Sequence, residues 1–260
     1  MKNLSLTALV AALALATFAF PFQALAGWEF TESTAGGQRQ VFIENQRIRM
    51  EDGVRATVYD AVSDTITFLD NQAGTYWSGT PEQCAQKLSS ARDQALLMME
   101  KQLAALPPNE REQARKILAR HMPMRQSTQP RVSLLPTDRV QLIAGYQAKA
   151  YEMRVNGRLS DEIWISPEIS VKEDIDMKAF GRAMQTINSV SGNAGEMAAF
   201  SPEVMELLSR GWALQWVTHL QDGKRRVDTA IHVGQKSLDQ GLFALPENFK
   251  AAPLEQVLAD

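Results

Sequence analysis

Apolar and polar positions change period several times along this chain, and each change marks an element. From residue 28 to 79 the period is short. Gln38–Ile43 and Gln46–Met50 read as extended runs, with Ile48 and Met50 on one side of the pleat. Glu51-Asp52-Gly53 is a hairpin signal, because Asp-Gly tolerates the positive φ that tight turns need. Ala56–Tyr59 follows it. Thr65–Leu69 then sets Ile66 and Phe68 on one face, Asn71–Gly74 turns, and Thr75–Trp77 pairs back. The block predicts an antiparallel meander.

At Thr80-Pro81-Glu82 the period lengthens. Thr80 suits a helix N-cap, Pro81 the first helical position and Glu82 the first turn. Leu88, Ala91, Ala95, Met99 and Leu103 then recur at three- and four-residue spacing, one buried stripe that ends at Pro107-Pro108. A second helix spans Glu110–Met122, with Ala114, Ile117, Leu118 and His121 on one face, and Pro123 closes it. Together they predict a helical hairpin inserted at about 81–122. Residues 124–139 read as a loop or an irregular strand. Gly145–Val155 and Asp161–Ser166 flank Asn156-Gly157, the strongest hairpin signal in the chain.

Asp174–Val190 is helix-like, and Ser201-Pro202-Glu203 starts a shorter helix that ends near Gly211. Residues 212–233 form two strands around Asp222-Gly223, with Trp212, Leu214, Trp216 and Leu220 on one face. Phe243–Pro246 reads as a short terminal strand and Leu254–Leu258 as a helical turn. The patterns sum to about eight to eleven strands and three or four helices. Hairpin connections make the sheet antiparallel and the class α+β.

The first residues change the picture of where the chain works. Lys2, an apolar run from Leu4 to Phe20 and the small-x-small triplet Ala24-Leu25-Ala26 make residues 1–26 a secretory signal peptide. Cleavage after Ala26 leaves one domain, 27–260, in the periplasm. Trp28 follows Leu25-Ala26-Gly27 where a bacterial lipoprotein carries its lipidated cysteine, so no acyl anchor is expected. No later stretch is apolar for long enough to span a membrane.

Charge and chemistry narrow the function classes. Lys plus Arg number 27 against 30 Asp plus Glu, and no basic stripe exists, which argues against nucleic-acid binding. Cys84 is the single cysteine, so no intramolecular disulfide forms. It reads as buried, although its place near a helix N-terminus would favour the thiolate. His121, His219 and His232 show no metal-ligand spacing; only His219 and His232, on paired strands, would have a chance to meet. Nucleophile-elbow and phosphate-loop motifs are absent. The acid pairs Glu51-Asp52, Asp161-Glu162 and Glu173-Asp174 read as solvated surface. Neither catalytic residues nor a cofactor is expected, and the chain is not read as an enzyme. Met98, Met99, Met122 and Met124 fall by the hairpin, with Met177, Met184, Met197 and Met205 in the later helices. They are either ordinary packing or an adaptable lining for greasy ligands.

Several blocks resemble a bacterial envelope family, domain of unknown function four-four-one-two. They are Gln46–Glu51, Thr65–Asp70, Thr75–Glu82, Ile143–Ala148 with Tyr151, Asn156-Gly157, Glu162–Glu168, and Phe243–Pro246 before Phe249-Lys250. The helical hairpin with its Pro107-Pro108 joint is similar too. That family looks like a relative of the periplasmic lipoprotein carriers (LolA-like) and the mycobacterial lipid-transfer lipoproteins. The resemblance implies a curved antiparallel half-barrel whose concave face is covered by helices, with an apolar cavity between. Strands at 28–79, 140–166 and 212–233 would form it, and helices 81–122 and 174–208 the lid. The expected function is a soluble periplasmic carrier of a lipid, acyl chain or other hydrophobic molecule. Met99, Leu103, Met184, Trp212, Leu214 and Trp216 are the candidate contacts, chosen for residue type and face. The alternative is an envelope protein-interaction or chaperone-like module that grips a partner with the helical hairpin.

Overall fold

The short-period stretches fold as their alternation requires. In the computed structural model, which describes residues 26–121, 129–190, 192–220 and 222–259, the first six strands form an up-and-down meander. They are β1 (Gly27–Thr34), β2 (Gly37–Glu44), β3 (Arg47–Glu51), β4 (Arg55–Asp60), β5 (Thr65–Asp70) and β6 (Thr75–Gly79). A second meander holds β7 (Val132–Ile143), β8 (Tyr146–Val155) and β9 (Arg158–Ser166). Between β8 and β9, Asn156 and Gly157 carry φ of 53° and 82°, the two positive values a type I′ hairpin needs. A last hairpin is β10 (Trp212–His219) and β11 (Arg225–Lys236), and β12 is the two-residue strand Lys250–Ala251.

All twelve belong to one sheet, ordered β12-β6-β5-β4-β3-β2-β1-β11-β10-β9-β8-β7. Pairing is antiparallel except where β12 lies parallel to β6. The sheet is open, with β12 and β7 as its edges, and the class is α+β. Strands β7 and β11 stand four places apart, about 19 Å in a flat sheet. Their Cα atoms nevertheless approach within 8 Å, so the sheet curls strongly at that end.

The helices are α1 (Pro81–Ala105), α2 (Pro108–His121), α3 (Met177–Asn188), α4 (Ala194–Ala199), α5 (Pro202–Ser209) and α6 (Leu254–Val257). Asp176 caps α3 by accepting from the backbone N–H groups of Lys178 and Ala179 at 2.9 and 3.0 Å. Met177, Phe180, Met184 and Ile187 then recur as its buried stripe. This stripe crosses the face made by Trp28, Phe30, Val41, Ile43, Ile48 and Tyr59, which register places side by side on β1 to β4. The Phe180 ring lies 5.7 Å from Tyr59 and 5.8 Å from Phe200. Helix α5 closes against α3 at Gly181, where a Cβ would collide with the Met205 side chain.

The opposite face of the meander is buried as well. Phe42, Ala56, Val58 and Leu69 pack there with Leu238 and Phe243 from the C-terminal segment. This overturns the terminal strand expected at 243–246. Gln240–Phe243 is a 3-10 turn, pinned by Arg49 Nη1 donating to the Leu242 carbonyl at 2.8 Å and by the Arg47 guanidinium 4.6 Å above the Phe243 ring. Phe243 fills a core and pairs with no strand; pairing resumes only at β12. Of the two readings open for 124–139, the irregular strand holds in its described part, which from Val132 belongs to the long edge strand β7, broken by a bulge between Pro136 and Val140 where proline supplies no N–H. Six α-helices are present among the described residues, more than periodicity showed, because α4 and α6 are a turn or so each.

The helical hairpin begins as expected: Thr80 accepts from Gln83 N at 3.3 Å, and the Gln83 side chain accepts from Thr80 N at 3.0 Å. Its buried residues are confined to Pro81 and Cys84, with Leu88 packed beside them. Burial pushes the Cys84 thiol up to about 11, the reverse of the thiolate a helix N-terminus would favour. Arg92 donates to the Val190 carbonyl, the last polar tie to the body among the described residues. Met122 and Met124 lie outside the described residues, as does most of the segment read as a signal peptide, residues 1–25.

The Gly181–Met205 contact makes a direct test of the α3–α5 packing. Gly181→Ala is expected to cost about 1–3 kcal/mol in urea unfolding, the usual range for overpacking. An unchanged midpoint would mean that Met205 yields freely and that the contact sets nothing.

Candidate ligand cavity

The inner face of β1 reads Trp28, Phe30, Glu32, and its neighbours on β2 read Ile43, Val41, Arg39 in register. Aromatic and aliphatic cross-strand pairs therefore give way to a charged pair at one end of the sheet. Arg39 Nε and Nη2 donate to Glu32 Oε2 at 2.8 and 2.5 Å, and Glu32 is 8% exposed. On the other side, Glu32 opposes Ala230 of β11, and Asp228 and Arg226 follow on alternate positions of that strand. Asp228 in turn opposes Trp216 of β10.

Over this floor stand Met177 and Phe180 of α3, Phe200 after α4, and Met205 and Leu208 of α5. Between floor and roof lies a cavity of about 330 Å³. Val41, Ile48, Met50, Trp212, Leu214 and Trp216 complete its apolar wall, and Glu32, Arg39, Gln215, Arg226 and Asp228 its polar end. Trp212 is held by stacking on Phe30, centroids 5.1 Å apart. Trp216 is held differently: its Nε1 donates to Asp161 Oδ1 at 2.8 Å, and Asp161 Oδ2 accepts from Ser160 Oγ at 2.6 Å. Walls fixed by stacking and charge-assisted hydrogen bonds keep an apolar space open, and rigid indoles suit contact with hydrocarbon.

Three of the six contacts named from the sequence line this space: Trp212, Leu214 and Trp216. Met184 is buried in the core beneath α3 without lining it. Met99 and Leu103 sit elsewhere, half-buried on the distal half of α1 beyond Arg92. A stripe at three- and four-residue spacing predicted burial there, but it is only partly sheltered, beside α2, whose Arg111 Nε donates to the Leu103 carbonyl at 3.1 Å. The roof residues Met177, Phe180, Met205 and Leu208 and the charged end were missed. The signal for the latter was on β1, where the inward alternation reaches Glu32.

Of the acid pairs, Glu51-Asp52 lies at the surface as expected and Glu173 is exposed, but the other three acids are not solvated. Asp161 and Glu162 are both buried, and they point to opposite faces because they are adjacent on β9. Glu162 accepts from Arg139 Nη1 at 2.7 Å and meets His219 Nε2 at 3.1 Å, while the Arg139 guanidinium lies 5.4 Å over the Trp164 ring. Burial by itself would raise the Glu162 carboxyl, but hydrogen bonds and charge from Arg139 and His219 outweigh it and hold it below its usual range. Asp174 is buried too, and burial raises it most; the Trp28 indole opposes this, and the nearby carboxylates Glu44 and Glu173 add smaller raising contributions. His219 lies opposite Arg225 and His232 opposite Thr31, so the two histidines do not meet. Among the described residues no group of three or more His, Cys, Asp or Glu could hold a metal ion.

No protein-family model matches this chain, and no curated protein is detectably similar to it. No helix among the described residues is long and apolar enough to cross a membrane.

The Glu162 cluster yields a pH test. A carboxyl whose folded pKa is depressed stabilises the protein above its unfolded value, about 4.3, and loses that contribution as pH falls through the folded value. Thermal unfolding of Glu162→Gln is therefore expected to show a lower Tm than the parent at pH 7, with the gap closing only well below pH 4.3. A gap that stays constant with pH would remove the ionic account.

Proposed function

We propose that this protein binds a lipid, an acyl chain or another hydrophobic molecule in the cavity beneath α3 and α5, and carries it outside the cytoplasm. The observation that carries the reading is an apolar space of about 330 Å³ walled by two fixed indoles, phenylalanines and methionines, with charge gathered at one end. That volume lies at the lower end of the range for small-molecule sites. Each CH₂ removed from water there contributes roughly 0.8 kcal/mol, so a chain of modest length supplies useful affinity without any catalytic group. Methionines at the roof let one space accept chains of varied shape.

The resemblance to the envelope family quoted above supports the same reading. On it, the curled open sheet is a half-barrel and the helices over its inner face are its lid. The N-terminal signal pattern supports export to the periplasm, with the domain beginning after Ala26.

A second reading is favoured by one feature of α1. Its distal half leaves the body, and Leu97 and Met98 are 59% and 68% exposed. We infer that this hairpin is a contact arm, either for delivering the ligand or as the main function of an interaction module.

The test is purification of the secreted protein without detergent, native mass spectrometry and organic extraction. A stoichiometric apolar passenger in the parent, lost in Trp216→Glu and kept in Lys116→Gln, is the expected result. A clean apo mass that persists after incubation with envelope lipids would refute the carrier reading and leave the arm.

A further inference from the structure

The charged end of the cavity says what kind of molecule fits it. Four ionised side chains gather there, two of each sign. Glu32 and Arg39 satisfy one another, and Glu32 is nearly out of reach of solvent. Arg226 and Asp228 do not. Among the described residues neither side chain has a hydrogen-bond or ion-pair partner, although both line the cavity from alternate positions of β11. Alternate positions on a strand share a face with Cα atoms about 6.6 Å apart. An exposed guanidinium and a half-buried carboxylate thus stand side by side, unpaired, at the edge of an apolar pocket.

We propose, resting on the binding reading above, that the ligand is a single-chain zwitterionic amphiphile. Its chain lies along Trp216, Phe180 and Met205, its phosphate is held by Arg226, and its ammonium by Asp228. Guanidinium groups bind phosphate through two parallel N–H···O bonds, and a carboxylate accepts from an ammonium. A head group bearing one charge would leave either Arg226 or Asp228 unmatched beside it, and a neutral head group would leave both. The Glu32–Arg39 pair closes the adjoining wall without adding net charge, so the mouth as a whole is neutral, as a zwitterion requires. The modest volume selects one chain over two.

The experiment compares four probes by isothermal titration against the full mature protein. They are lauroyl lysophosphatidylethanolamine, laurate, monolaurin and chain-free glycerophosphoethanolamine. The expected order places the lysophospholipid about tenfold tighter than laurate or monolaurin, with no binding of the chain-free head group. Arg226→Gln is expected to bring the lysophospholipid to the level of monolaurin. Asp228→Asn is expected to erase the preference over laurate. Both side chains lie outside the core, and an unchanged thermal unfolding midpoint reports that each variant folds. Equal affinity for the three chain-bearing probes would overturn the head-group assignment while leaving the carrier reading standing. Tight binding of glycerophosphoethanolamine would overturn the requirement for a chain. Failure of all four to bind would overturn this proposal and the carrier reading together.

Discussion

The face of an open, wide sheet has to be covered, and here a single amphipathic helix does most of that work. Helix α3 turns Met177, Phe180, Met184 and Ile187 onto the sheet, and Phe180 touches rings from both below and beside it, Tyr59 and Phe200. An α-helix with its side chains is only about 10–12 Å across, while twelve strands span several times that. Coverage beyond α3 must therefore come from short, separate pieces. Helices α4 and α5 extend it toward β10, and Gly181 lets α5 approach without a gap at one point. Where the pieces diverge from the sheet toward the ends of β1, β10 and β11, the cover lifts and a cavity remains. The space follows from covering a curled sheet with straight rods.

The curl and the charge pattern act together at that place. Along β1 and β2 the inward pairs pass from Trp28–Ile43 through Phe30–Val41 to Glu32–Arg39. Burying Glu32 alone would cost several kcal/mol, and its ion pair with Arg39 offsets that cost at the edge of the apolar region. Asp161 does the same for Trp216, taking the indole N–H so that the ring presents only hydrocarbon to the cavity. The charged groups near the space are thus either neutralised in pairs or collected at its mouth, while the buried Trp212 indole N–H has no hydrogen-bond partner. The space is thereby apolar along its walls and charged at one end.

How much of this was legible in the sequence depends on range. Strands β2 to β6, the Asn156-Gly157 hairpin, the Thr80 cap and the final helical turn are encoded by neighbours within a few residues, and each was readable there. Strand β7 was blurred by Pro136 and its bulge, whose pairing is decided by β8. Phe243 looked like a strand residue because it is apolar and flanked by apolar neighbours; only the arrival of Arg47 and Arg49 from β3 makes it a core residue. The cavity was half legible for the same reason. Trp212, Leu214 and Trp216 share a face through strand alternation, which sequence shows. Met177 and Met205 meet that face only through tertiary packing, which it does not. Asp161 and Glu162 looked like surface acids because nothing local reveals that Trp216, Arg139 and His219 converge on them.

The misplaced stripe on α1 carries a further consequence. Met99 and Leu103 fall at core-like spacing on a helix whose ties to the body end with Arg92, and Leu97 and Met98 face outward a turn away. Twelve or so helical residues are only marginally stable in isolation, so the distal half of α1 owes its stability to α2 and not to the sheet. Arg111 supports this by donating to the carbonyls of Leu103, Ala104 and Leu106 as α1 ends, satisfying groups that a helix C-terminus would leave open. Beyond Arg92 the hairpin is therefore braced within itself, on a helix that runs unbroken from Pro81 to Ala105. It contributes no wall to the cavity, and movement of its distal half leaves Trp216, Phe180 and Met205 where they are.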